Sequence, residues 1–117
     1  MTSSIYSTTF DAIDAAKLAS FWAEALGRSL DPEPSAFFAS IGRVSADDQT
    51  VMMFIQVPEG KSVKNRIHLD LQADDRAAEV ERLVGLGASV HSEHDEYDTR
   101  WTTLVDPEGN EFCVASH

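Results

Sequence analysis

The chain carries one local pattern twice, and that repeat limits its fold more than any other feature. Across residues 65–90, Ile67, Leu69 and Leu71 alternate with Arg66, His68, Asp70 and Gln72, the pattern of a half-buried strand with a polar second face. Asp74 or Asp75 then supplies a helix N-cap, and Val80, Leu83 and Val84 form an apolar stripe at helical spacing. Gly87 falls where a left-handed C-cap belongs, and Ala88-Ser89-Val90 begins another strand. The earlier stretch 7–14 has the same strand and capping aspartate, Asp14. Leu18, Phe21, Trp22, Ala25 and Leu26 make its stripe, Gly27 stops the helix, and Ser29-Leu30 leads out. Ser7 falls on His68 at an offset of 61 residues, and Gly27 falls on Gly87 at an offset of 60. Two copies of a module near sixty residues describe a duplication, not a solenoid.

The intervening segments complete each module. Residues 5–11 read as the first strand, with Tyr6, Thr8 and Phe10 on one face, and residues 15–26 as the first helix. Residues 29–35 contain Pro32 and Pro34 and so form an irregular or edge strand, because proline cannot donate to a central ladder. Strands follow at 36–44 and 50–57, joined by a turn at Ala46-Asp47-Asp48-Gln49. The segment 58–65 is a linker. After the second helix come a strand at 88–91, an acidic loop at 92–98 and a strand at 99–105. Asp106-Pro107-Glu108-Gly109 places the preferred residues of a type I turn in order, before a last strand at 110–115. Each module therefore reads β-α-β-β-β. The expected architecture is a single α+β domain over residues 1–117, with module one at 5–57, the linker at 58–65 and module two at 66–115.

Composition narrows the function. At 117 residues, the chain is long enough to bury a core, and 43% hydrophobic with 25% charged residues is ordinary for a soluble globular protein. Twenty acidic against nine basic residues give a formal charge of -11, which repels nucleic acid and anionic membranes and suits a cationic or aromatic ligand. The single cysteine, Cys113, excludes an internal disulfide and fits a reducing compartment. No signal-peptide pattern opens the chain and no apolar run approaches the roughly 20 residues of a membrane span. The expectation is a cytoplasmic protein.

Four segments carry a resemblance: Phe21-Trp22-Ala23-Glu24-Ala25-Leu26-Gly27, Val57-Pro58-Glu59-Gly60-Lys61, Lys64 through Leu71, and Asp106 through Phe112. With the repeat, they make the chain similar to the vicinal oxygen chelate superfamily, which includes glyoxalase I, bleomycin- and fosfomycin-resistance proteins and extradiol dioxygenases. Within it, the chain resembles the small glyoxalase-like domain common in actinobacteria. The resemblance implies two βαβββ modules whose curved sheets form a cleft, built within one chain or across a homodimer, and a homodimer is expected. In metal-dependent members, four ligands line that cleft, and a divalent ion there polarises substrate oxygen. Carried over by position, these ligands fall on Ser7, on Phe54 or Gln56, on His68, and on Cys113, with Glu111 two residues out of register. Only His68 matches. Ser7 is a poor ligand, Phe54 is none, and a His68–Cys113 pair leaves a four-coordinate site half built. No metal or other cofactor is therefore expected.

The expected cleft residues are Ser7, Phe54, Gln56, His68, Asp70, Trp101, Glu111 and Cys113, with His68 as the candidate acid/base group. A histidine held structurally by Asp70 is the competing account of His68. Cys113 reads as a buried, inert thiol, and the run His91-Ser92-Glu93-His94-Asp95-Glu96 as solvated charge. Trp101 and Phe54 lie on strands and suit an apolar pocket wall. The expected function is a metal-free small-molecule-binding protein that sequesters a ligand in the inter-module cleft, as the bleomycin-resistance relatives do. The alternative is a lyase, isomerase or dioxygenase-type enzyme using His68 with Glu111 or Asp70.

Overall fold

The computed structural model describes residues 2–116. Its seven strands and two helices divide into two compact units, one ending at Gly60 and the next beginning at Lys61.

The first unit contains β1 (Ser7–Ala12), α1 (Ala15–Leu26), β2 (Phe38–Ile41) and β3 (Val51–Gln56), with sheet order β1-β3-β2. Strands β1 and β3 run parallel, and β2 and β3 antiparallel. The Asp14 side chain accepts a hydrogen bond from the Lys17 N–H at the start of α1, and Gly27 ends the helix at φ 63, a conformation glycine adopts without a Cβ clash. Leu18, Phe21, Trp22 and Ala25 are buried along one stripe, as expected, whereas Leu26 is half-buried. Opposite that stripe, the buried side chains Ala39, Ile41, Met52 and Phe54 occupy matching positions of β2 and β3. Phe10 stacks on Phe54 at 5.0 Å between ring centres and meets Trp22 at 5.5 Å. The expected strand at 29–35 reduces to one bridge between Leu30 and Ile41. Pro32 and Pro34 lack the N–H groups a ladder needs, and Glu33 sits at a positive φ of 63. Buried Asp31 organises this region by accepting from the Ser40 hydroxyl at 2.7 Å and from the Arg43 and Ser45 N–H groups.

The second unit has the full module: β4 (Leu69–Gln72), α2 (Arg76–Leu86), β5 (Ser89–Glu96), β6 (Thr99–Val105) and β7 (Glu111–Ala115), in the order β4-β7-β6-β5. Strand β4 is parallel to β7, and the other pairs are antiparallel. Asp75, not Asp74, caps α2 by accepting from the Ala78 N–H. Within the expected helical stripe Leu83 is fully buried, Val80 is half-buried and Val84 is exposed. Thr102, Leu104, Phe112 and Val114 are buried on the α2 face of the sheet, where Arg76 donates to the Thr102 hydroxyl at 2.6 Å.

Two sequence expectations change here. The alternating run does not start a strand at Arg66, since β4 begins at Leu69 and Ile67 is 84% exposed. The pairing of β4 with β7 opens at Leu69 opposite Phe112, and the preceding segment is instead tied to Glu111 and Asn110 through Asn65. The acidic stretch 92–98 is not a loop: it continues β5 to Glu96 and closes on β6 through Tyr97 and Asp98, at φ 54 and 58. Two successive positive φ values are those of the two-residue turn that matches strand twist.

Candidate functional site

The face of the second sheet opposite α2 follows from strand parity. One row across it runs from Gln72 through Ala115 and Trp101 to His94, and the next runs from Asp70 through Cys113 and Thr103 to Ser92. Side chains along a strand alternate between faces, so both rows lie on one surface. The register of β5 shifts between Val90 and Ser92, and both His91 and Ser92 line the cavity described below, which unbroken alternation would forbid.

This surface floors a cavity of about 680 Å³, lined entirely by residues of the second unit. Its floor is made of small side chains, Ala115, Cys113, Thr103 and Ser92, and a ridge formed by His94 stacked on Trp101 at 4.9 Å stands at one end. The Ser92 hydroxyl lies 2.8 Å from His94 Nε2 and 3.1 Å from His91 Nδ1, linking both rings. At the other end, His68 Nδ1 lies 3.2 Å from Asp70 Oδ1. A carboxylate only accepts, so Nδ1 carries a proton, and in the neutral ring Nε2 has the lone pair.

The segment before β4 is latched over the sheet by Glu111. Its carboxylate pairs with Lys61 Nζ at 2.8 Å and accepts the Asn65 N–H at 3.2 Å, and the residue is 9% exposed. Burial raises its pKa, but the Lys61 hydrogen bond and the Asn65 N–H outweigh that effect and hold the carboxyl below its ordinary value of 4.5. Cys113 is pushed the other way. Burial raises its thiol pKa most, the Thr103 hydrogen bond lowers it, Asp70 beside it raises it again and Lys64 lowers it least, for a net rise. Its Sγ is 3.3 Å from Thr103 Oγ1.

Five expected site residues therefore line one cavity: His68, Asp70, Trp101, Glu111 and Cys113. The module-one candidates belong to other environments. Phe54 is a correction, since it has no exposed surface, stacks on Phe10 and packs in the core of the first unit. Gln56 donates to the Ile13 carbonyl, and Ser7 lies 3.3 Å from the Thr9 hydroxyl. The strand register also shows why Phe54 was misplaced. Asp70 pairs with Cys113 in the second unit and Thr9 pairs with Met53 in the first, so the repeat aligns Cys113 with Met53 and Phe54 with Val114. His91, Ser92 and His94 enter as site residues that the acidic run concealed. The signal for them was the alternation on both sides of Tyr97-Asp98.

Whether these residues hold a metal can be judged from their donors. His68, Asp70 and Cys113 each offer one donor atom, all within 4.8 Å of one another. These three donors come from one module and are one short of a four-coordinate set, and Glu111 is already committed to Lys61. Phe54 and Met53 supply no oxygen or nitrogen. The family's four-ligand arrangement does not fit this chain.

Paired parallel-antiparallel sheets, each with one helix, define a glyoxalase/bleomycin-resistance-like α+β fold. The family of glyoxalase-like domains matches residues 7–115, and the chain belongs to it. No curated protein sequence matches the chain. Among solved structures, it is similar to a glyoxalase/bleomycin resistance protein/dioxygenase family enzyme from Burkholderia phytofirmans, with 16% identity and TM-score 0.75, covering 97% of this chain and 98% of that one. It is also similar to a lactoylglutathione lyase from Agrobacterium tumefaciens, with 18% identity and TM-score 0.66, covering 98% and 94%. A fosfomycin resistance protein from Mesorhizobium loti aligns at 13% identity and TM-score 0.73, covering 100% and 94%. At these identities the likeness concerns the fold alone. No helix among the described residues is long and apolar enough to cross a membrane.

Proposed function

We propose that the protein binds a small organic molecule in the cavity of its second unit, without a metal ion. The observation that carries this reading is the cavity itself: about 680 Å³, with an aromatic ridge and a few convergent polar groups, inside the size range of small-molecule sites. Burial of an apolar ring against Trp101 supplies affinity, and His68, Thr103 and Ser92 supply orientation. The protein is read as a cytoplasmic homodimer, with sedimentation equilibrium as the check on the dimer.

Metal content of protein purified without chelator, followed by Ni²⁺, Zn²⁺, Mn²⁺ and Fe²⁺ calorimetry, tests the metal-free part. Stoichiometric metal that is lost in His68→Ala overturns it. A small-molecule library screened by Trp101 fluorescence, with Trp101→Phe as control, tests the binding part. A library without a single hit that depends on Trp101 overturns that.

One observation favours a second reading, as an enzyme of the lyase or isomerase type. A histidine oriented by a carboxylate is a ready general base, and the His68–Asp70 pair has that arrangement. Asp70, not Glu111, is its partner, because Glu111 is engaged by Lys61 and Asn65.

A further inference from the structure

We infer that the ligand is a planar hydroxyaryl compound whose ring stacks beside Trp101 and whose hydroxyl donates to His68 Nε2. The inference rests on the binding reading above and adds the chemical class.

Three features converge on it. First, His94 covers one side of the Trp101 ring, and the neighbour on the other side in the row is Ala115. A methyl group there leaves a slot above the sheet that a flat ring fills, in contact with the free side of the indole. The floor continues through Cys113 and Thr103, whose side chains are also short. Second, the spacing suits a hydroxyaryl group. Ala115 and Cys113 are two residues apart on β7, roughly 7 Å along the strand, and Asp70 pairs directly with Cys113. A bicyclic aromatic stacked at Trp101 therefore carries its substituent to the His68–Asp70 end.

Third, the tautomer sets the sign of the hydrogen bond. Asp70 fixes a proton on His68 Nδ1, so Nε2 of the neutral ring accepts and selects a donor on the ligand. A carbonyl or ether oxygen at that point meets a lone pair and is disfavoured.

The test compares 2-naphthol with 2-methoxynaphthalene, which share a ring but differ in the donor. Affinity is read by quenching of Trp101 fluorescence against a Trp101→Phe control, and by calorimetry. A hydrogen bond to a histidine polarised by a carboxylate corresponds to a preference of about tenfold for 2-naphthol. His68→Phe, at a side chain 41% exposed, keeps the ring surface but abolishes the preference. Asp70→Asn, which frees the tautomer, reduces it. Equal binding of the two probes overturns the hydroxyl assignment while leaving the cavity reading intact. Failure of both probes, where other library members bind, overturns the hydroxyaryl class. Failure of every compound overturns both. A preference that survives in His68→Phe assigns the hydroxyl to another group and overturns the inference as well.

Discussion

Replacing Glu111 with glutamine separates a structural latch from a catalytic or ligating carboxylate. The side chain is 9% exposed and its partner Lys61 is 20% exposed, so the pair lies between the surface and the interior. Surface ion pairs contribute about 0–1 kcal/mol, and breaking a buried pair costs about 3–5 kcal/mol. Glutamine keeps the volume and still accepts the Asn65 N–H, so what is lost is charge: one charge-assisted hydrogen bond at 2.8 Å and half of another. The expected cost near neutral pH is about 2 kcal/mol, which lowers the urea midpoint by about 1 M. The pH dependence follows from the direction of the shift. The Glu111 carboxyl is held below 4.5 in the folded chain, so its stabilisation is fully present above 4.5 and disappears as pH falls through the folded value. Wild type and Glu111→Gln should therefore differ at neutral pH and converge in acid. Urea titrations at both conditions measure this, with Lys61→Met as the partner in a double-mutant cycle. An unchanged midpoint at neutral pH, or a difference that persists undiminished below the carboxyl's titration, refutes the latch.

Three further outcomes follow from particular contacts. Phe54→Ala should cost about 3–5 kcal/mol by chemical denaturation, because a fully buried ring stacked on Phe10 is removed; a pocket wall would cost far less. Cys113 should react with iodoacetamide more slowly than a free thiol at neutral pH, with its pH profile displaced above 9.0, and unfolding should restore ordinary reactivity. Replacing Tyr97-Asp98 with Asn-Gly should stabilise the chain by about 1 kcal/mol in thermal melts, since both positions have positive φ.

What the sequence disclosed depended on whether the controlling interaction was local. Helix α1 was legible to the residue because Asp14 and Gly27 act within one turn of the ends they fix. Strand β6 and the turn from Asp106 to Gly109 were legible for the same reason: the Gly109 N–H closes on the Asp106 carbonyl at 2.9 Å. The continuation of strand β5 beyond His91 was hidden because its turn uses Tyr-Asp in place of Asn-Gly, and its acidic side chains imitate a solvated loop. The role of Glu111 was not legible, because its partners Lys61 and Asn65 lie far away along the chain. In β3, the run Val-Met-Met-Phe-Ile has no polar alternation, so nothing local says which parity faces the helix. The pairing of Phe10 with Phe54 decides it.

That one-residue matter of register has a chemical consequence. On the face opposite the helix, the second unit places His68, Asp70, Glu111 and Cys113, whereas the matching positions of the first are Ser7, Thr9, Val51 and Met53. Duplication supplied two equivalent faces, but the acid/base groups and the thiol are confined to one. A metal clamp that draws ligands from both modules therefore lacks half its donors, independently of what happens at Cys113. Within the second unit, His68 is hydrogen-bonded to Asp70 and Glu111 is paired with Lys61. What such a face leaves for a ligand is an aromatic edge, a floor of short side chains and a fixed lone pair. Those are the features on which the proposed recognition of a ring and its hydroxyl rests.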